Sequence, residues 1–133
     1  MIYVGIDAAK GNHDCFVCNS DGEVLFKAFT FQNNMEGFNE LYQRIKSVSD
    51  DLSNIKVGLE ATGHYSYNLL EFLLDRGWPT VVINPLHITL FRKSLTLRKT
   101  KTDKVDAHTI AMMLLYGSYD YRRNQRLQQL RYS

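Results

Sequence analysis

The chain has 133 residues and a mass of 15.4 kDa, with 44% hydrophobic and 12% aromatic residues; this supports one core of ordinary size and excludes pervasive disorder. Its apolar runs, such as Leu69-Leu70 and Phe72-Leu73-Leu74, fall far short of the roughly 18 residues a membrane span needs. Met1-Ile2-Tyr3-Val4-Gly5 carries no secretory signal, and the two cysteines are too few for a disulfide scaffold, so a soluble cytoplasmic domain is expected. The net charge of +2 conceals a division. Residues 1–66 hold five Lys/Arg against nine Asp/Glu, whereas residues 67–133 hold eleven against five.

In chain order, Ile2–Asp7 reads as a short buried strand ending at an acid. His13–Asn19 and Glu23–Phe31 read as two strands joined by the turn Asn19-Ser20-Asp21-Gly22. Over Met35–Val48, apolar Phe38, Leu41, Tyr42, Ile45 and Val48 recur three and four apart, which predicts an amphipathic helix. Ile55–Glu60 is a fourth strand, again ending at an acid. Thr62 is a candidate cap for a helix over His64–Arg76, with Tyr65, Leu69, Phe72 and Leu73 inward and Gly77 as its stop. Pro79–Ile83 is a fifth strand, closed by Asn84-Pro85. In Leu86–Thr100, the residues Leu86, Leu90 and Phe91 suggest a short helix leading into a basic loop. Asp103–Tyr116 is a helix with Val105, Ile110, Met113 and Leu114 available for packing, ended by Gly117. Residues 118–133, with Leu127 and Leu130 among Arg and Gln, read as the start of a helix that needs a partner. Three antiparallel strands followed by βα units predict a mixed five-stranded α/β sheet with helices on both faces.

Four acids stand where such a sheet would gather them. Asp7 and Glu60 end strands predicted to be adjacent and parallel, so both emerge at one edge. Asp103 and Asp106, three apart on the last helix, share a face and join them if that helix packs beside the first strand. Converging carboxylates repel and raise their own proton affinity unless a hard divalent cation relieves them. Two Mg²⁺ ions about 4 Å apart, with Mn²⁺ as substitute, suit phosphoryl transfer on a nucleic acid. Gly5, Gly58 and Gly63 are expected to let a nucleic-acid backbone approach. The basic segment Arg92, Lys93, Arg98, Lys99, Lys101 and Lys104, together with Lys10, is the expected phosphate-binding surface.

The motifs Val4-Gly5-Ile6-Asp7-Ala8-Ala9-Lys10, Gly58-Leu59-Glu60-Ala61-Thr62-Gly63-His64-Tyr65, Asn84-Pro85 and Lys101-Thr102-Asp103-Lys104-Val105-Asp106-Ala107 resemble, in this order, the N-terminal RuvC-like domain of DEDD transposases of the insertion-sequence 110 family. The resemblance implies a ribonuclease-H-like fold over residues 1–117, with Asp7, Glu60, Asp103 and Asp106 as the catalytic and metal-binding D, E, D and D. It further implies DNA and a structured bridge (guide) RNA as partners, oligomeric assembly, and no membrane. In that family a coiled-coil linker follows, then a domain with a nucleophilic serine. Residues 118–133 would begin the linker, so this chain alone is not expected to complete recombination.

Other features are assigned no chemistry. Cys15 and Cys18, three apart on a strand, point to opposite faces and so cannot form half of a metal site. His13, His64, His87 and His108 show no mutual ligand spacing. Asn84 is expected to bond the local backbone, and Asp14, Asp21, Asp50 and Asp51 sit at loops or exposed strand positions. Tyr116, Tyr119, Tyr121 and Tyr132 suit base stacking or a helical partner equally. Two rival functions remain from sequence: a stand-alone RuvC-like endonuclease that hydrolyses junction DNA, and a non-catalytic nucleic-acid-binding or dimerisation module.

Overall fold

The computed structural model describes residues 1–49, 51–60, 64–95 and 107–117. Five strands, β1 (Ile2–Asp7), β2 (Asn12–Asn19), β3 (Phe29–Gln32), β4 (Ile55–Glu60) and β5 (Thr80–Ile83), form one sheet in the order β3-β2-β1-β4-β5. β1 pairs antiparallel with β2 and parallel with β4; β2–β3 is antiparallel and β4–β5 parallel. Among the described residues four α-helices pack with the sheet: α1 (Met35–Lys46), α2 (Tyr67–Asp75), α3 (Pro85–Leu95) and α4 (Ala107–Leu115).

Alternation along the central strands sends side chains to two different cores. Ile2, Val4, Ile6, Val57 and Leu59 join Phe38, Leu41 and Ile45 of α1 and Leu69, Phe72 and Leu73 of α2 on one face. On the other, Val81 and Ile83 join Ile88 and Phe91 of α3 and Ile110, Ala111, Met113 and Leu114 of α4. The predicted mixed sheet with helices on both faces is therefore present. Cys15 and Cys18 lie buried in opposite cores, and burial raises the proton affinity of both thiols, which keeps them unreactive.

The local chemistry explains the boundaries. Asn19 Oδ1 accepts from the Asp21 and Glu23 amides at 3.0 Å, closing the predicted hairpin turn. The strand expected over Glu23–Phe31 is interrupted. Cys18 bridges Val24 while Cys15 pairs with Phe29, so five steps on one side oppose three on the other. Two extra residues bulge there, and Leu25 and Phe26 turn into the first core. Asn34 caps α1 by accepting from the Gly37 amide at 2.8 Å, and Asn84 caps α3 through the Leu86 amide at 2.8 Å, with Pro85 at the first helical position. Gly77 and Gly117 stop α2 and α4 at φ +77° and +66°. The helix expected over His64–Arg76 starts later, at Tyr67, behind Ser66; the proposed cap Thr62 lies outside the described residues.

α4 is apolar nearly all round, with seven of its nine residues buried between the sheet and α3. It runs back along β1. Its first residue, Ala107, rests on Gly5, and Leu115 near its end reaches Gly22 in the β2–β3 turn.

Candidate functional site

The parallel β1–β4 ladder pairs Ile2 with Ile55 and continues to Ile6 with Leu59. The next residue on each strand is an acid. Strand periodicity places Asp7 and Glu60 on the same face as Gly5 and Gly58, the face that α4 covers. Glu60 is only 8% exposed, and Asp7 is half-buried. Burial, then a hydrogen bond with Asp7, then the Asp7 charge push the Glu60 carboxyl up to about 7. The two side chains are thus within hydrogen-bonding reach, and the arrangement favours one proton held by Glu60 and donated to Asp7. The convergence expected of these two acids is present.

Among the described residues no three metal-ligating side chains form a group, and Asp103 and Asp106 lie outside the described residues. The Asp7–Glu60 pair nevertheless suits a hard divalent cation. Its four oxygens are the donor type that Mg²⁺ takes, and a cation there would replace the shared proton and remove the repulsion.

Asp14 neighbours Asp7 alone and does not complete a three-acid group among the described residues. Asp14 is the register partner of Asp7 across the β1–β2 ladder, so the two share a face. Its Oδ1 accepts from Thr30 Oγ1 at 2.8 Å. It is exposed on β2, as the sequence leads one to expect.

The same edge collects the starts of the four described α-helices. β1, β3, β4 and β5 run in one direction, so α1, α2 and α3 each begin at the Asp7–Glu60 edge, and α4 begins there because it runs antiparallel to β1. Helix N-termini carry partial positive charge, which favours an anionic ligand along this edge.

Gly5 and Gly58 do not leave room for a nucleic acid, contrary to the sequence expectation. A Cβ on Gly5 would overlap the Ala107 carbonyl oxygen and lie 2.6 Å from the Ala111 nitrogen. One on Gly58 would lie 2.8 Å from Ile110 Cγ2. The glycines admit α4, and Gly63 lies outside the described residues.

Of the expected phosphate-binding residues, Lys10 is exposed in the β1–β2 turn, three residues past Asp7. Half-buried Arg92 and exposed Lys93 sit on the last turn of α3. That turn is remote from the acids. α3 starts at their edge and runs away from it for about 9 Å at 1.5 Å per residue, until Phe91 meets Tyr116 beyond the end of α4 at 6.2 Å between ring centroids. Arg98, Lys99, Lys101 and Lys104 lie outside the described residues, as does the linker expected over residues 118–133.

A mixed sheet in this order, helices on both faces, and acids ending its two central parallel strands define a ribonuclease-H-like domain of the RuvC type. The chain resembles RuvC of Thermus thermophilus with a TM-score of 0.55 at 15% identity, covering 89% of this chain and 96% of that one. It resembles T. thermophilus RuvC in complex with Holliday junction substrate with a TM-score of 0.56 at 16% identity, covering 91% and 98%. Residues 4–131 match the transposase family model DEDD_Tnp_IS110, and the chain belongs to that family. It is 37% identical over 110 residues to the pilin gene-inverting protein of Moraxella bovis, covering 82% of this chain and 33% of that protein. The chain spans about a third of the length of the curated relatives it matches.

Proposed function

We propose that this chain is the metal-dependent catalytic domain of a DNA transposase or recombinase, which binds DNA and readies a phosphodiester for strand cleavage and exchange. The observation that carries this reading is the meeting of Asp7 and Glu60 at the edge where the four described α-helices begin. Asp7, Glu60, Asp103 and Asp106 are the proposed Mg²⁺ ligands. Support for Asp106 comes from its bonded neighbour Ala107, which rests on Gly5, two residues before Asp7 on the same face. The chemistry a bound Mg²⁺ or Mn²⁺ supplies is charge neutralisation and polarisation of the phosphodiester.

The chain's own groups do the rest. Below about pH 7 Glu60 holds a proton while the site is metal-free and must release it to become a ligand. Lys10 and the basic segment Arg98, Lys99, Lys101 and Lys104 attract the phosphate backbone, whereas Arg92 and Lys93 serve nucleic acid that extends past the far end of α3. The name of the Moraxella relative favours exchange between DNA segments as the biological outcome. A guide RNA, a homo-oligomer, a cytoplasmic setting and a serine nucleophile from a further domain complete the proposal by family resemblance.

The test is fluorescence anisotropy with a four-way DNA junction, in Mn²⁺ and in EDTA. Mn²⁺ should tighten binding by the wild-type chain. Asp7→Asn with Glu60→Gln should bind more tightly than wild type in EDTA, because the repulsion is gone, and should lose the response to Mn²⁺. Binding indifferent to both cation and substitution would contradict the reading. Mn²⁺-dependent nicking of the junction by this chain alone would favour the hydrolytic endonuclease instead.

A further inference from the structure

The β1–β4 ladder stops at Ile6 and Leu59, one residue short of the acids. Past that point the two chains diverge, one into the β1–β2 turn and the other towards α2. A single side chain ties them together again. Asn33, directly after β3, donates from Nδ2 to the Lys10 carbonyl at 3.1 Å and to the Tyr65 carbonyl at 3.2 Å. Its backbone N–H donates to the Gly11 carbonyl at 3.0 Å. One carboxamide therefore links the third residue past Asp7 to the fifth past Glu60.

His13 stands behind this link. It is fully buried, with ring centroids 5.3 Å from Phe31 and 6.4 Å from Phe38. Its Nδ1 accepts from the Ala9 amide at 3.1 Å, so the neutral ring carries its proton on Nε2. Nε2 and Asn33 Oδ1 are both buried and have no hydrogen-bond partner among the described residues, while burial lowers the ring's proton affinity and Asn33 partly restores it. One is a donor and the other an acceptor. The two carbonyls fix the carboxamide with its nitrogen towards them, which leaves Oδ1 as the group complementary to the ring N–H.

We infer that Asn33, oriented by His13, is a positioning residue that sets the distance between the loops leaving the two acidic strands, and with it the spacing of Asp7 and Glu60. The inference rests on the proposed function only for what that spacing serves. A hairpin cap would need the bonds to Lys10 and Gly11 alone; the bond to Tyr65 has no use in the hairpin. Aspartate has the right size and no donors, and serine cannot span both carbonyls.

The test compares wild type with Asn33→Ser by amide hydrogen exchange and by Mn²⁺ titration, with Leu41→Ala as a destabilised control. In Asn33→Ser, exchange should rise about tenfold both at residues 9–11 and at residues 65–67, relative to amides of β4. Mn²⁺ affinity should fall about tenfold, while Leu41→Ala keeps wild-type affinity. Asn33→Asp, equal in size, serves the exchange measurement should Asn33→Ser not fold; its added charge disqualifies it from the metal titration. Faster exchange confined to residues 9–11, or none, overturns the inference. Absence of Mn²⁺ binding by the wild-type chain would overturn the proposed function, and the exchange result would still decide the role of Asn33.

Discussion

The two faces of the sheet are built on opposite plans. Towards α1 and α2, each inward position of β1 and β4 carries Ile, Val or Leu, and the layers are separated by interlocking side chains. Towards α4, the same strands carry Gly5 and Gly58, and the helix backbone comes down onto the strand itself. Bulk supplies cohesion on the first face. Its absence on the second fixes where α4 begins, and the alternation that exposes the glycines also aims Asp7 and Glu60 to that side. The face with less side-chain volume is the face that holds the two acids.

Substitutions can break this comparison, beginning with the largest effect. Phe72→Ala, on the first face, should cost about 4 kcal/mol in urea unfolding through transfer and cavity terms, with no specific change at the acids. Gly5→Ala should cost about 3 kcal/mol, because the added methyl meets helix backbone rather than a movable side chain. Gly11→Ala, with nothing within 4 Å, is the matched control and should change little. Equal effects at positions 5 and 11 would refute the close docking of α4.

The acids add a pH signature. Below the ordinary glutamate value of 4.5, Glu60 is protonated in both folded and unfolded chains, and nothing is lost. Between 4.5 and about 7 the unfolded chain ionises first, so stability falls as pH rises and the loss is complete above about 7. Glu60→Gln should therefore match wild type near pH 4.5 and exceed it by about 2 kcal/mol above pH 7, after allowance for solvent screening at the edge. A variant that is less stable at pH 8 would contradict the assigned proton. The smallest effect is at Lys10. Lys10→Ala should weaken DNA binding about fivefold, near 1 kcal/mol, and reduce the salt slope by about one.

Much of this arrangement is legible in the chain. β1 and β4 are short β-branched runs ending at acids, and a parallel pair of that kind leaves Asp7 and Glu60 at one edge. The helix stops at Gly77 and Gly117 and the cap at Asn84 follow from single residues. Legibility failed where tertiary packing chose between equal local options. On α3, Leu86 and Leu90 form an apolar pair four apart, yet they are 60% and 54% exposed while Ile88 and Phe91 face α4. No local rule marks the bulge after Val24, because propensity across Glu23–Phe31 is continuous. His13 gave no ligand spacing, and only the fold brings its ring against Asn33. The glycines were read as space for substrate because sequence cannot say which neighbour fills a gap.

The most direct test of the shared-cation claim is calorimetric titration of Mn²⁺ into the wild-type chain and into the Asp7→Asn, Glu60→Gln double variant at about pH 6, where Glu60 still carries its proton. The account predicts saturable binding by wild type, with proton release as Glu60 gives up its hydrogen, and no saturable binding by the variant. Identical isotherms for the two proteins would contradict it.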